Sequence, residues 1–298
     1  MNPYGHYTPD GDEFVITNPE TPRPWHNYLF NEHYLVNLVQ HGTGASFWQP
    51  TGEGLRVNVT EDRDGSGGPR FVYLRDADSG AFWSLTGAPV FDKPEHWECR
   101  VGLGYQLMRS VRDGIEAGWR VFVPQNGVRG EYWTLTVTNR SGRRRRISLF
   151  PYVEMHLTGG STLMDFMAVL GGRYEPDSHA VFGINSCVKF PDDFKAFLAS
   201  DRKPDGATVS RDAFLGHYRT YANPLAVERG DVHNPEAGTE WIGASLRHDL
   251  ELEPGESQVI HCAIGVTRSV KEGKEQIREM LVEGAVDRAF EELRADKQ

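Results

Sequence analysis

Cysteine is scarce in this chain of 298 residues, and the three that occur, Cys99, Cys187 and Cys262, are far apart. Because their number is odd and no CxxC pair occurs, the sequence predicts neither a disulfide framework nor a cysteine zinc site. The first residues also lack the basic and apolar parts of a signal peptide. We therefore expect a cytoplasmic location, where thiols stay reduced.

Positive charge and long apolar runs are also in short supply. The chain has 32 Lys and Arg against 42 Asp and Glu, a net charge of −10. Nucleic-acid binding would need a basic face. A membrane helix would need a run of about 20 apolar residues, which no segment approaches. We expect neither nucleic acid nor a membrane as a partner.

Aromatic residues, glycine and proline are abundant. Hydrophobic residues make up 39% and aromatic residues 11% of the chain, with 32 Gly and 17 Pro, which is typical of a packed core built from short strands and turns. Residues 34–39 read as a buried strand, Gly42 and Gly44 as a turn, and residues 45–48 as the returning strand of a hairpin. Similar strands and turns follow at regular spacing for roughly 150 residues, which predicts a β-sandwich.

Two later regions depart from this pattern. Residues 157–225 are less regular, with a helix predicted at 191–200 and a loop element at 211–218. Residues 270–281 and 285–294 have helical spacing with apolar side chains along one face. We divide the chain into a β domain, 1–268, and an amphipathic linker or partner-docking segment, 269–298. This apolar face needs a cover, which is either the sandwich itself or something outside this chain. Because an exposed face would make a lone monomer unfavourable, we expect self-association or a partner; the face comprises Ile277, Met280, Leu281, Phe290 and Leu293.

An ordered set of motifs resembles the N-terminal domain of the cellobiose phosphorylase type of glycoside phosphorylase, which is glycoside hydrolase family 94, formerly glycosyltransferase family 36. The matching stretches include FVITNPETPRPW at 14–25, GASFW at 44–48, WECRVGLGY at 97–105, LFPYVE at 149–154, DAFLG at 212–216 and LEPGE at 252–256. The set covers essentially the whole chain. Ala45 stands at a position that is aromatic in the family, and Arg56 is the only arginine left in a strand that is usually rich in arginine and tyrosine.

The resemblance implies a mainly β fold, a large antiparallel super-sandwich that is galactose mutarotase-like, followed by a helical linker. In that family the catalytic aspartate and the phosphate site belong to an (α/α)6 barrel. The chain would then be a non-catalytic domain or subunit of an inverting glycoside phosphorylase, with no catalytic residue and no cofactor of its own. Its partners would be an oligo- or disaccharide and a barrel chain or a second copy. The alternative is a free-standing carbohydrate-binding module.

Trp48 is the tryptophan most favoured to face a sugar, because it follows a glycine turn and pyranose rings pack on indole. Arg56 and Arg100 are further candidates for substrate binding. Most of the seven tryptophans of such a sandwich belong in its core.

Glu154 and His156 lie two residues apart on one predicted strand and therefore share a face. They could form a general acid/base pair, as in mutarotase-like sandwiches. We favour a structural role, with Glu154 accepting hydrogen bonds.

Other polar groups have simpler interpretations. The spacing of the histidines fits no metal-binding pair; these are His26, His33, His41 and His96. The adjacent carboxylates Asp192 and Asp193 favour a helix start over glycoside hydrolysis. The arginine run at 143–146 could bind an anion, but a solvated hairpin tip fits an acidic chain better.

Overall fold

The computed structural model describes residues 2–48, 55–58, 68–158, 170–186 and 194–296. Most of this part of the chain consists of β-strands, which are joined by tight turns. The strands are β1 (Gly5–Tyr7), β2 (Glu13–Ile16), β3 (Asn27–Phe30), β4 (Tyr34–Leu38), β5 (Gly44–Trp48), β6 (Leu55–Asn58), β7 (Arg70–Asp76), β8 (Phe82–Ser84), β9 (His96–Gly102), β10 (Tyr105–Arg112), β11 (Ile115–Phe122), β12 (Gly130–Asn139), β13 (Arg145–Thr158), β14 (Leu170–Glu175), β15 (Ala180–Asn185), β16 (Lys195–Ser200), β17 (Gly206–Ser210), β18 (His233–Asn234), β19 (Glu236–Gly238), β20 (Ile242–Leu252) and β21 (Ser257–Thr267). The helices are α1 (Arg211–Leu215), α2 (Leu225–Arg229), α3 (Val270–Leu281) and α4 (Ala285–Asp296), with a 3-10 turn at Pro176–Ser178.

Across these residues the strands form two sheets. The first, sheet A, has 11 strands in the order β1-β2-β9-β10-β11-β12-β21-β16-β15-β14-β19. Sheet B has 10 strands, with the path β18-β17-β20-β13-β6-β5-β4-β3 and with β7 pairing with β13 and β8. The described pairings are antiparallel except that of β17 with β18. The predicted antiparallel super-sandwich is therefore confirmed.

The main core lies between the two sheets, and strand alternation explains how it forms. On β11 the side chains of Ile115, Ala117, Trp119 and Val121 are buried, while the residues between them, 116, 118 and 120, are half-buried, as period-two alternation predicts. The ring of Trp119 packs 4.5 Å from that of Trp133 on β12. Each such buried apolar side chain stabilises the fold by about 1.5–3 kcal/mol.

The helix predicted at 191–200 is wrong for residues 195–200, which form strand β16; residues 191–193 lie outside the described residues. Both faces of β16 are buried, because Leu198 packs in the inter-sheet core and Phe197 packs under the C-terminal helices. A strand covered on both sides has no polar face, so its sequence does not alternate. The same region also contains β14, β15 and β17, which the sequence did not indicate.

The C-terminal helices begin and end close to their predicted bounds. The hydroxyl of Ser269 accepts a hydrogen bond from the backbone N–H of Glu272 at 3.1 Å, which caps the first turn of α3. The expectation of an exposed apolar face is wrong. Ile277, Met280 and Leu293 are buried against sheet A, while Leu281 and Phe290 pack beside them and are partly buried.

Sheet A itself thus covers the apolar side of both helices. Division of the chain at residue 268 stays a prediction. None of the helices in the described ranges is long and apolar enough to cross a membrane.

Candidate functional site

A cavity of about 660 Å³ lies on the outer face of sheet B, on the side that points away from sheet A. It is enclosed by the β4–β5 turn, the loop after β8, strand β13 and the segment between α1 and β20. Its volume is in the range of small-molecule sites. Among the residues that line it are His41, Phe71, Phe91, Glu154, Arg211, Tyr221 and Trp241.

Strand alternation places Glu154 at this cavity. Val153 and Met155 point into the inter-sheet core, so Tyr152 and Glu154 point to the outer face. The outer face would be open to solvent if α1 and α2 did not pack on it through Phe214 and Val227. The Glu154 side chain is only 4% exposed as a result.

One oxygen of the Glu154 carboxylate is fully engaged. Its Oε1 accepts hydrogen bonds from the Tyr152 hydroxyl at 2.7 Å, the Tyr221 hydroxyl at 2.6 Å and Arg211 Nε at 3.0 Å. None of the hydrogen bonds between described residues reaches the other oxygen, Oε2. Burial raises the pKa of Glu154 above its usual range, although the Tyr221 hydroxyl and the Arg211 charge act in the opposite direction.

Arg211 is the first residue of α1, and it balances the charge of the buried carboxylate. Burial alone would lower its pKa, but the neighbouring Glu154 carboxylate raises it above its ordinary value. Its guanidinium carbon lies 5.6 Å from the centre of the Tyr221 ring. The Ser210 hydroxyl accepts a hydrogen bond from the backbone N–H of Ala213 and so fixes the start of α1.

Aromatic side chains border the same cavity and face solvent. Phe91 is 78% exposed, and its φ of 56° lies in the left-handed region that bulky residues avoid. Trp241 is 44% exposed, and its ring lies 4.7 Å from the His156 ring at an angle of 33°. The cavity therefore combines open aromatic faces with an ion pair between the buried Glu154 and the half-buried Arg211.

The residues predicted to bind a sugar lie elsewhere. Trp48 is buried on β5, with its ring 3.9 Å from that of Phe194. Arg56 is on β6, which pairs with β5 and β13, and the structure describes the backbone of this strand but not its side chains. Arg100 is in sheet A and hydrogen-bonds to Glu98 and Glu13. Substrate contact by Trp48, Arg56 and Arg100 stays a prediction.

The hydrogen-bonding role predicted for Glu154 is confirmed, and Glu154 and His156 share a face as expected. Asp192 and Asp193 lie outside the described residues. In the ranges given above, no group of three or more His, Cys, Asp or Glu side chains is placed to hold a metal ion.

The predicted solvated hairpin tip is confirmed for Arg143, Arg144 and Arg146, whose side chains are more than half exposed. It is wrong for Arg145, whose side chain is only 4% exposed. Carboxylates pair with all four arginines. Their ion pairs are Arg143 with Asp78, Arg144 with Glu251, Arg145 with Asp76 and Arg146 with Asp78.

Sequence reasoning missed Arg211, Tyr221 and Phe91 as parts of a site. Arg211 and Tyr221 reach Glu154 across 57 and 67 residues of chain, a distance over which spacing carries no signal. The one available hint was the family-like DAFLG stretch at 212–216, which directly follows Arg211.

Two large antiparallel sheets, closed on one side by C-terminal helices, define the chain as a super-sandwich domain. Residues 12–282 match the family described as "Glycosyl hydrolase 94, supersandwich domain", so the chain belongs to that family, and the resemblance seen in the sequence is confirmed.

Two curated relatives that the chain matches over nearly its whole length are phosphorylases. The chain is 33% identical to solabiose phosphorylase from Paenibacillus borealis, over 100% of this chain and 39% of that protein. It is 34% identical to N,N'-diacetylchitobiose phosphorylase from Vibrio proteolyticus, over 98% of this chain and 37% of that protein. The chain thus spans less than two-fifths of these relatives and corresponds to their N-terminal supersandwich domain.

Solved structures agree on the fold. A protein described as a kojibiose phosphorylase from the human microbiome superposes with a TM-score of 0.56 at 11% identity, covering 97% of this chain and 37% of that one. A bacterial glucoamylase complexed with acarbose gives a TM-score of 0.51 at 10% identity, over 95% of this chain and 40% of that one. At such low identity these likenesses concern the fold alone.

Proposed function

We propose that this chain is the non-catalytic N-terminal domain or subunit of an inverting glycoside phosphorylase, which shapes the sugar site and the subunit interface. The match of residues 12–282 to the supersandwich family carries the proposal. The two phosphorylases named above, each matched by almost the whole chain, support it. The described residues form a sandwich and four helices, without an (α/α)6 barrel that would carry the chemistry.

The partners follow from this role. The chain would work with an (α/α)6 barrel and an oligo- or disaccharide, in the cytoplasm. The sequence argument for self-association relied on an exposed helix face, and sheet A covers that face. A barrel is therefore the better-supported partner.

Reconstitution tests the proposal. The purified chain should release no sugar 1-phosphate from a disaccharide and phosphate, because it carries no phosphorolysis site. Addition of the separately expressed barrel from the same source should form a complex and restore phosphorolysis, with heat-unfolded chain as the control. Activity of the chain alone, or neither complex nor activity with the barrel, would contradict the proposal.

A free-standing carbohydrate-binding module is the second candidate. It is favoured by helices that fold back on sheet A and by the cavity with exposed Phe91 and Trp241. Such a module would be slowed by a β-glucan in the gel during affinity electrophoresis, and it would form no complex with the barrel. Complex formation with the barrel would favour the first candidate.

A further inference from the structure

The charges at the Glu154 cavity select against charged ligands. The positive charge of Arg211 is matched by the carboxylate of Glu154, with Nε and Oε1 3.0 Å apart. An anion in the cavity would meet that carboxylate, and a cation would meet the guanidinium. Because the charge of the buried carboxylate is already balanced by Arg211, the cavity favours a neutral occupant.

The hydrogen-bonding capacity of the cavity points to a hydroxyl-bearing ligand. A carboxylate oxygen is an acceptor only, so Glu154 Oε2 can be satisfied by a donor such as a hydroxyl group. Oε1 is already saturated by Tyr152, Tyr221 and Arg211, so a ligand hydroxyl would be directed to Oε2. Such a charge-assisted hydrogen bond is among the stronger polar contacts.

The aromatic rim supplies a surface for an apolar ring face. Trp241 and Phe91 both line the cavity and both leave ring surface exposed. Holding Phe91 at a φ of 56° disfavours the folded state, yet the ring gains little burial in return. A pyranose ring has both features, hydroxyl groups at its edge and an apolar face.

We propose that the cavity formed by Glu154, Arg211, Tyr221, Phe91 and Trp241 binds one sugar residue of a neutral carbohydrate. Glu154 Oε2 accepts a hydrogen bond from a sugar hydroxyl, and the rings of Trp241 and Phe91 pack on the sugar face. The inference rests on the proposed function in that it takes the ligand of the chain to be a carbohydrate.

Calorimetry on the 298-residue chain tests the inference, with cellobiose, N,N'-diacetylchitobiose and inorganic phosphate as probes. At least one disaccharide should bind, and phosphate should not. Trp241→Ala and Phe91→Gly should each weaken binding about tenfold, because each removes one stacking surface. Phe30→Ala is the matched control, since Phe30 on β3 is 60% exposed but does not line the cavity.

Two further readouts separate binding from structure. Phe91→Gly should leave the Tm unchanged or raise it, because glycine accepts the left-handed conformation, so a loss of affinity could not be attributed to unfolding. Glu154→Gln leaves the Arg211 charge unbalanced, so that variant should lose sugar affinity and gain phosphate affinity. If Glu154→Gln does not fold, the affinities of Trp241→Ala and Phe91→Gly alone determine whether the inference holds.

The results overturn the inference if no disaccharide binds, if phosphate binds the unaltered chain, or if Trp241→Ala and Phe91→Gly bind as well as Phe30→Ala does. Failure here is distinguishable from failure of the proposed function, because reconstitution with the barrel is measured separately. A chain that restores phosphorolysis but binds no sugar on its own would leave the proposed function standing and remove this inference alone.

Discussion

At the scale of single residues, a buried ion pair joins the two sheets. Arg70 on β7 and Glu131 on β12 are both fully buried, and Arg70 Nη1 lies 3.0 Å from Glu131 Oε1. The hydroxyls of Ser46 and Tyr34 and the indole N–H of Trp133 also donate to this carboxylate. Both oxygens of the Glu131 carboxylate thus accept hydrogen bonds, which lowers the cost of burying its charge.

We predict that Arg70→Met lowers the free energy of unfolding by about 3–5 kcal/mol, because it leaves the Glu131 carboxylate buried and unpaired. Urea denaturation followed by tryptophan fluorescence measures the change. Adding Glu131→Gln to the Arg70→Met variant should restore part of the loss, because no charge then remains in the core.

Arg100→Met is the matched control for Arg70→Met. Arg100 also pairs with carboxylates, Glu98 and Glu13, but its side chain is 33% exposed. Arg100→Met should therefore lower the free energy of unfolding by no more than about 1 kcal/mol. Equal losses in Arg70→Met and Arg100→Met would show that burial does not decide the strength of these pairs.

His248 on β20 is a second buried group with a measurable consequence. Burial, aided by the charge of Arg202, lowers its pKa from 6.5 to about 4, whereas Asp205 acts in the opposite direction. The unfolded chain therefore takes up a proton at a higher pH than the folded chain does. This contribution to stability is complete above about pH 6.5 and is lost as the pH falls towards 4.

We predict that His248→Leu reduces the loss of stability between pH 6.5 and 4 by about 3 kcal/mol, the equivalent of the pKa difference. Urea unfolding at a series of pH values gives the slope of the free energy of unfolding against pH. Burial also lowers the pKa of His41 and His261, so some pH dependence should persist in the variant. An unchanged slope would mean that His248 is protonated in the folded chain.

The residue scale also shows what the sequence could and could not predict about the site. The period of two on β13 was enough to place Glu154 and His156 on one face. It could not show that Arg211 and Tyr221 come back to that face, because α1 and the following loop pack there through contacts distant in sequence. Trp48 was favoured from its position after a glycine turn, and the burial of its ring depends on Phe194, far along the chain.

At the scale of elements, strands in which polar and apolar residues alternate were predictable, and strands whose two faces are both apolar were not. Polar and apolar residues alternate over residues 132–138 and 241–252, which predicts two strands, and the bounds of β12 and β20 lie within one or two residues of these ranges. β15 and β16 lie between the inter-sheet core and the C-terminal helices, so both of their faces are apolar. Their run of small and aromatic residues fits a buried helix as well as a strand.

The docking of α3 and α4 on sheet A yields a prediction about an element. Leu293 is fully buried among Tyr105, Phe122 and the other residues of this contact. We expect Leu293→Ala to lower the free energy of unfolding by about 2–5 kcal/mol through the lost contacts and the cavity left behind. Val282→Ala, at an exposed position between the two helices, should change it by less than about 0.5 kcal/mol.

Hydrogen exchange adds a readout that is local to the docked helices. Amides of residues 270–296 should lose protection in Leu293→Ala while those of β11 keep theirs, because the helices then open without the sandwich unfolding. Equal loss in both regions would indicate that helices and sandwich unfold as one unit. The outcome would therefore also test the predicted division of the chain at residue 268.

At the scale of the whole molecule, the ordered family-like motifs predicted the architecture, whereas the helical periodicity could not predict which surface covers the helices. Ile277, Met280 and Leu293 were correctly assigned to one apolar face. The periodicity of a helix identifies such a face but not its contact partner. That partner is built from β10, β11, β12, β15, β16 and β21, which converge only in the folded sheet.

The covered helices lead to a final prediction about the assembly state. Because sheet A buries the apolar face that would otherwise drive association, the isolated chain should scatter light as a monomer of 33.6 kDa. Leu293→Asp places a charge in that contact and should release the helices, so this variant should form larger species at the same concentration. A stable dimer of the unaltered chain, with a mass that Leu293→Asp does not change, would show that association uses another surface. The first surface to test by substitution would then be edge strand β3, where the aromatic side chains of Tyr28 and Phe30 are exposed.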